Sequence, residues 1–176
     1  MERIRGALEK AVSVISSFVP GEVKADQKSL GCGLVTEADR VANRVLREVL
    51  LREGEGWLSE ESVDDLARLE KQRVWVVDPL DGTLEFVAGI PEWCVSIGLV
   101  ENGRAVAGGV CNPATGETFL GFLENGLTYN GKPARAANPT STVSGGGCRF
   151  WEARSLLSAI GAHKYKIVTN YCTHCP

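Results

Sequence analysis

The chain has 176 residues, of which 44% are hydrophobic and 23% charged, and its formal net charge at pH 7 is −3. This near balance of charge excludes a polybasic nucleic-acid binder, and the composition is typical of a globular domain with a buried core. No apolar run approaches the roughly 20 residues that cross a bilayer, and residues 1–9 are charged, unlike a secretion signal. We therefore expect a cytoplasmic protein that binds neither a nucleic-acid polymer nor a membrane.

Two segments have the periodicity of amphipathic helices. Apolar side chains recur every three or four positions over residues 2–18, and Pro20-Gly21 is expected to end this helix. Thr36 and Asp39 resemble a capping box that opens a second helix, for which Gly54 is the expected stop. Each predicted helix presents one apolar face to a core.

After the second helix the pattern changes to short apolar runs rich in β-branched residues, which predict strands. These runs are residues 74–77, 94–100, 105–110 and 118–123. Asn102-Gly103 lies between two of them, as a hairpin turn does. Helices followed by strands predict an α+β fold, with two helices packed on one face of an antiparallel meander sheet.

The composition changes again near the end of the chain. Residues 136–147 are rich in Asn, Pro, Ser, Thr and Gly, which indicates a linker or a surface loop. We therefore predict one domain over residues 1–140, followed by a linker and a divergent tail over residues 141–176.

Six cysteines are spread along the chain, and we expect most of them to be reduced and buried. They are Cys32, Cys94, Cys111, Cys148, Cys172 and Cys175. The last two flank His174 and could form half of a zinc or redox site, but the sequence has no matching second pair, so a loosely packed end is the favoured interpretation.

The residues that indicate chemistry follow the first predicted strand. Asp78 and Asp81 flank Pro79 and Leu80, and Pro79 restricts its own φ and holds Asp78 extended. Both carboxylates and the Leu80 carbonyl can then face one point. Oxygen donors without Cys or His suit Mg²⁺ or Mn²⁺ better than a soft metal ion.

Two neighbouring motifs extend this cluster. Gly82 permits a sharp turn with backbone N–H groups that point outward to a phosphate, and the Thr83 hydroxyl could orient a water with Glu60 or Glu61 as the base. The alternative is an ordinary strand-to-turn connection beside a solvated acidic corner. The four carboxylates of these motifs, those of Glu60, Glu61, Asp78 and Asp81, lie within 22 residues, and a bound metal ion would explain why they are not driven apart.

These motifs, in this order, resemble the inositol monophosphatase superfamily of Mg²⁺-dependent, lithium-sensitive phosphomonoesterases, which includes 3′(2′),5′-bisphosphate nucleotidases. The matching parts are Asp39, Glu60-Glu61 and Asp78–Thr83, and the similarity covers roughly residues 1–140. The resemblance implies the metal- and phosphate-binding N-terminal domain of that fold.

The resemblance also implies a set of metal ligands. Glu61, Asp78 and the Leu80 carbonyl would bind a first Mg²⁺, and Asp78 and Asp81 would bind a second, with two or three ions in a complete site. Glu61 would activate the attacking water, and Glu60 would support the ligands from behind.

The remaining implied roles concern the phosphate and the water. Thr83 would activate the water together with the glutamate, and Asp81, Gly82 and Thr83 would contact the phosphate. Thr36 and Asp39 would support Thr83 from behind, although their predicted capping role explains their presence equally well.

The chain departs from the family pattern after residue 83. The family motif Trp-Asp-x-x-Ala-Gly is not found, since Trp93 precedes Cys94 and Trp151 precedes Glu152. We therefore expect a C-terminally truncated phosphatase acting on a small phosphorylated substrate with weak or absent turnover. The alternative is a remnant that binds metal or phosphate and associates with itself, as a homodimer or an aggregation-prone fragment, or with a partner. Glu85-Phe86 favours adenosine 3′,5′-bisphosphate over inositol monophosphate as the substrate.

Overall fold

The computed structural model describes residues 2–28 and 33–134. Its helices and strands, in chain order, are α1 (Glu2–Ile15), β1 (Ala25–Gln27), β2 (Leu34–Thr36), α2 (Glu37–Leu50), β3 (Gly56–Ser59), β4 (Arg73–Asp81), α3 (Thr83–Ala88), β5 (Cys94–Glu101), β6 (Arg104–Asn112), β7 (Glu117–Phe122), β8 (Gly126–Tyr129) and β9 (Lys132–Ala134). A short 3₁₀ turn, Ala67–Glu70, precedes β4.

The two predicted helices are present, with different ends. The first ends at Ile15 rather than at residue 18, because the hydroxyls of Ser16 and Ser17 donate to backbone carbonyls one turn earlier and compete with helical hydrogen bonding. The predicted capping box is confirmed, since the Asp39 N–H donates to Thr36 Oγ1 and the Thr36 N–H donates to Asp39 Oδ2. The second helix ends at Leu50, four residues before the predicted stop.

Seven strands form one sheet in the order β3-β4-β5-β6-β7-β8-β9. From β4 to β9 every neighbouring pair is antiparallel, which confirms the predicted meander. Asn102 and Gly103 both have positive φ, as a two-residue hairpin requires. The strands β1 and β2 form a separate two-stranded sheet that the sequence analysis did not predict.

The first strand of the large sheet, β3, also differs from the predicted meander. It pairs parallel with β4, which makes the sheet mixed. Parallel neighbours need a long connection, of about a dozen residues or more, and residues 60–72 supply it. Parallel pairing places the carboxyl ends of β3 and β4 at the same edge of the sheet.

The core lies between the sheet and the pair α1 and α2. Trp75, Val77, Val95 and Ile97 point to this side and belong to one buried cluster with the apolar faces of both helices. Close packing of α1 requires Gly109, where a Cβ atom would come within 2.7 Å of the Ile4 side chain. The helices therefore cover one face of the sheet, as predicted.

Several predictions lie outside the described residues. They concern Cys32, the linker over residues 136–147, the domain boundary at residue 140 and the tail with its Cys172 and Cys175 motif. Cys94 is buried and Cys111 is half-buried. None of the helices in the described ranges is long and apolar enough to cross a membrane.

Candidate functional site

The parallel pairing of β3 and β4 brings the glutamate pair to the first aspartate. Ser59 is opposite Val77, so Glu60 and Asp78 are the next residues at the same edge. The Glu60 N–H donates to the Val77 carbonyl at 3.3 Å, and the carboxyl groups of Glu60 and Asp78 lie close enough for each to shift the pKa of the other.

An irregularity in β4 brings the second aspartate to the same face. In a regular strand, residues three apart point to opposite faces. Here Asp78 is opposite Ser96 and Asp81 is opposite Cys94, so β4 advances three residues while β5 advances two. Because Ser96 and Cys94 share a face of β5, both aspartates lie along that face. The extra residue lies within the Pro79-Leu80 segment.

Lys28 is the cation of this cluster. Its Nζ lies 2.5 Å from Glu60 Oε1 and 2.7 Å from Glu61 Oε1. The Lys28 side chain is 16% exposed and that of Glu61 10%, so this ion pair is largely shielded from water. No motif in the sequence indicated Lys28, because the contact joins residues that are 32 positions apart.

The electrostatic balance of the site is unfavourable for the aspartates. Burial, followed by the charges of Glu60 and Asp81, raises the pKa of Asp78 well above its usual range. Burial and the charges of Glu60 and Glu85 likewise raise the pKa of Asp81, although the Gly82 N–H opposes this by donating to its carboxylate. These carboxylates are short of positive charge.

The two glutamates differ in their surroundings. Burial opposes ionisation of Glu60, but hydrogen bonds from Asp78 and Lys28 outweigh it and lower the pKa of Glu60. Burial raises the pKa of Glu61, helped by the charges of Asp39 and Glu60 and opposed by Lys28. Lys28 contacts both glutamates; in addition, Glu60 interacts with Asp78, and the charge of Asp39 acts on Glu61. The roles that the sequence analysis gave them, Glu61 as metal ligand and Glu60 as its support, stay a prediction.

Helix α3 begins directly after the aspartates and places Thr83 at its first position. The Thr83 hydroxyl lies 3.0 Å from Asp39 Oδ1 and 3.0 Å from the Leu80 carbonyl oxygen. Asp39 is 1% exposed, and its Oδ2 accepts hydrogen bonds from the Thr36 N–H and hydroxyl. The capping box and the support of Thr83 are therefore both present, and the same carboxylate performs both.

Gly82 is required by the turn between the strand and the helix. Its φ is +90°, and a Cβ atom there would lie 2.6 Å from the Glu92 carbonyl oxygen. The Gly82 N–H donates to the Asp81 carboxylate, so this amide is already used within the motif. The expected contact of this N–H group with a phosphate stays a prediction.

Asn43 of α2 is a further residue at the site that the sequence analysis missed. Its side-chain amide donates to the Glu61 carbonyl at 3.2 Å, and its carbonyl oxygen accepts from the Ser59 hydroxyl at 2.8 Å. These bonds fix the chain where β3 ends and the glutamates begin. A lone Asn in a helix carries no sequence signal for such a role.

The chemistry of the donor set fits a hard divalent cation. Within residues 2–28 and 33–134, no group of three or more His, Cys, Asp or Glu side chains has the geometry to hold a metal ion. The donors at this edge are nevertheless all oxygens, the pKa values of Asp78 and Asp81 are raised, and Glu60 already pairs with the ammonium group of Lys28. Such a set prefers Mg²⁺ or Mn²⁺.

The sheet, the two helices on one face and the acidic edge together define the fold class of sugar-phosphatase N-terminal domains. The sequence profile of the inositol monophosphatase family matches residues 2–169. The chain therefore belongs to the inositol monophosphatase family.

Individual relatives agree with this assignment. The inositol-1-monophosphatase of Rhizobium meliloti is 38% identical over 119 residues, which are 65% of this chain and 44% of that protein. The fructose-1,6-bisphosphatase/inositol-1-monophosphatase of Thermotoga maritima is 33% identical over 124 residues, 69% of this chain and 47% of that protein. A solved IMPase structure from Thermotoga maritima superposes with a TM-score of 0.68 at 31% identity, over 80% of this chain and 56% of that one. The chain spans about half the length of the curated relatives it matches.

Proposed function

We propose that this chain provides the metal- and phosphate-binding half of a Mg²⁺-dependent phosphomonoesterase that hydrolyses a small phosphate monoester. The observation that carries the proposal is the convergence of Glu60, Asp78 and Asp81 at one edge of the sheet, beside a Thr83 hydroxyl held by a buried Asp39. Family membership supports the same reaction class.

Four groups would hold the cation. They are one glutamate of the Glu60-Glu61 pair, Asp78, the Leu80 carbonyl and Asp81. The Leu80 carbonyl retains a lone pair while it accepts the hydrogen bond of Thr83. Bound Mg²⁺ would supply the positive charge that polarises a phosphate ester and acidifies water. Lys28, which pairs with both glutamates in this structure, would then share them with the ion.

Thr83 and Asp39 would handle the proton of the attacking water. The Thr83 hydroxyl has one hydrogen, which it donates to Asp39 or to the Leu80 carbonyl, so its lone pairs remain able to accept from a water. Thr36 holds Asp39 in place through two hydrogen bonds. Glu61, which lies close enough to Asp39 for the Asp39 charge to raise its pKa, would act as the base.

Inositol monophosphate is the substrate we propose to test first. The relatives that are 33–38% identical carry that activity in their names. The Glu85 charge, which raises the pKa of Asp81, disfavours a second phosphate on that side. This argues against adenosine 3′,5′-bisphosphate, the substrate that Glu85-Phe86 favoured in the sequence analysis.

The test is phosphate release from inositol 1-phosphate, fructose 1,6-bisphosphate and adenosine 3′,5′-bisphosphate, with and without Mg²⁺. The unaltered chain is compared with Asp78→Asn and with Asp65→Asn, an exposed aspartate in the loop before the 3₁₀ turn. Mg²⁺-dependent release that Asp78→Asn abolishes and Asp65→Asn retains would support the proposal. Release that is independent of Mg²⁺ would contradict it.

The second candidate is a module that binds a divalent cation or phosphate without turnover. It is favoured by the closed state of the site, in which Lys28 bridges the glutamates and the Gly82 amide is bonded to Asp81. Saturable Mg²⁺ binding without phosphate release from any of the three esters would select this candidate. A cytoplasmic location and self-association as a homodimer are part of either proposal, and sedimentation of the purified chain tests the latter.

A further inference from the structure

Cys94 lies directly beside the second aspartate of the site. The irregular register of β4 makes it the cross-strand partner of Asp81, and its Sγ lies 4.0 Å from Asp81 Oδ2, within reach of a weak S–H···O hydrogen bond. In a regular antiparallel pairing, Ser96 opposite Asp78 would place Cys94 opposite Leu80. The same extra residue that brings both aspartates to one face therefore also brings the thiol to Asp81.

The two partners differ in how firmly they are held. Cys94 is 1% exposed and belongs to β5, which is paired on both sides, with β4 and β6. Asp81 is the last residue of β4, is accessible to solvent on one side, and is repelled by Glu60 and Glu85. A fixed donor next to a repelled carboxylate at a strand end restricts the orientations which that carboxylate can adopt.

We infer that Cys94 is a positioning residue, whose thiol donates to Asp81 Oδ2 and directs the other carboxylate oxygen toward the cation. The Gly82 N–H also donates to this carboxylate and helps to fix its orientation. The inference rests on the proposed function, because orienting Asp81 has a purpose only if Asp81 binds a cation. The competing explanation is packing, since Cys94 also contacts the apolar cluster around Val110.

Alanine and serine at position 94 separate the two explanations. Their side chains are nearly equal in size, so both remove about the same packing from the cluster, but only serine keeps a hydrogen-bond donor. If Cys94 only packs, the two variants bind the cation equally. If it positions Asp81, Cys94→Ser retains cation affinity that Cys94→Ala loses.

The experiment is Mn²⁺ titration of the full chain, followed by the electron paramagnetic resonance signal of the free ion, in parallel with thermal unfolding of each metal-free variant. We expect Cys94→Ala to weaken Mn²⁺ binding about threefold to fivefold, the size of one modest hydrogen bond, and Cys94→Ser to remain within about twofold of the unaltered chain. Cys111→Ala is the control, because Cys111 is opposite Val95 and so faces the helices.

Each outcome decides the inference. Equal Mn²⁺ affinity of Cys94→Ala and Cys94→Ser overturns it and assigns Cys94 to packing alone, whatever the unfolding temperatures. If Cys94→Ala does not fold, Cys94→Val replaces it as the variant without a donor, and the same comparison with Cys94→Ser applies. An unaltered chain that binds no Mn²⁺ overturns the proposed function and this inference with it, whereas intact binding with no Ala–Ser difference overturns the inference alone.

Discussion

The two ends of the parallel pair β3 and β4 carry opposite electrostatic arrangements. At the amino end, Glu55 is 9% exposed and lies 2.7 Å from Arg3, while the Trp75 indole N–H and the Arg52 backbone N–H also donate to it. At the carboxyl end, the Lys28 ammonium group pairs with Glu60 and Glu61 and its charge acts on Asp78, whereas the charged groups that act on Asp81, among the described residues, are the carboxylates of Glu60 and Glu85.

The pKa values of the carboxylates at the two ends are shifted in opposite directions. Burial opposes ionisation of Glu55, but hydrogen bonds from Trp75 and Arg3 and the Arg3 charge outweigh it and lower its pKa. The pKa values of Asp78 and Asp81 are raised instead, by burial and by neighbouring carboxylates. The amino end is compensated within the chain and contributes to stability, whereas the carboxyl end retains excess negative charge that a bound cation can relieve. The following changes test this contrast.

The largest expected effect belongs to Asp78→Asn. It removes a carboxylate that the proposed cation requires, so Mg²⁺-dependent phosphate release should fall by about a hundredfold or more. The same change removes the repulsion of Asp78 by Glu60 and Asp81, so the free energy of unfolding of the metal-free chain should stay equal or rise. Urea unfolding beside the phosphate assay measures both, and a clear loss of metal-free stability would mean that Asp78 is a structural residue.

Glu55→Gln should have the reverse signature. The neutral amide loses the charge that Arg3 and Trp75 are arranged around, and the free energy of unfolding should fall by about 1–3 kcal/mol. The affinity for Mg²⁺ should stay unchanged, because Glu55 precedes β3 and the site follows it. Exposed Glu53→Gln is the matched control. Weakened Mg²⁺ binding by Glu55→Gln at unchanged stability would remove the distinction between the two ends.

Lys28→Gln tests the internal cation directly. Without the ammonium group the glutamates repel each other, so we expect the metal-free chain to lose about 1 kcal/mol, a modest figure because Glu60 is 49% exposed. Added Mg²⁺ should restore more stability to this variant than to the unaltered chain. Thermal unfolding with and without Mg²⁺ measures this, with exposed Lys24→Gln as the control. An equal Mg²⁺ response in all three proteins would show that Lys28 and the ion do not share ligands.

The smallest expected effect is in the pH dependence of stability. The pKa of Glu55 lies below its ordinary 4.5 in the folded chain, so its stabilisation is present above pH 4.5 and is lost as the pH falls through the folded value. The pKa of Asp78 lies above its ordinary 3.8, so the folded chain holds that proton more tightly and its stability falls as the pH rises from 3.8 to the folded value.

Two variants isolate these contributions. The deficit of Glu55→Gln should shrink below pH 4.5, and any advantage of Asp78→Asn in metal-free buffer should grow from pH 4 toward neutrality. Chemical unfolding at several pH values measures both slopes. For each variant, the free energy of unfolding relative to that of the unaltered chain is plotted against pH. Slopes of the same sign for Glu55→Gln and Asp78→Asn would contradict the electrostatic contrast between the strand ends.

Local sequence rules predicted the parts of the structure that depend on neighbours in sequence. The capping box of Thr36 and Asp39 follows from three-residue spacing, and the hairpin at Asn102-Gly103 follows from residues that accept positive φ. The strand β3 was missed because it is short and begins with Gly56, and its pairing depends on a distant partner. Helix α3 is likewise too short to show a periodic pattern.

The residues of the candidate site also divide into those that a local motif reveals and those that depend on a distant contact. The aspartates and Thr83 were found because their motif is contiguous, and the sequence also indicated Asp39 through the cap. Lys28 depends on a long-range contact that spacing cannot show. The parallel register of β3, which brings the Glu60-Glu61 pair next to Asp78, likewise depends on a distant partner strand.

The most direct test of the account is calorimetric titration of the full chain with Mg²⁺, repeated with Asp78→Asn and Glu55→Gln. The account predicts saturable Mg²⁺ binding that is lost in Asp78→Asn and retained in Glu55→Gln. Binding that survives Asp78→Asn, or an unaltered chain that binds no Mg²⁺, would contradict the central claim that the acidic edge of β3 and β4 is a cation site.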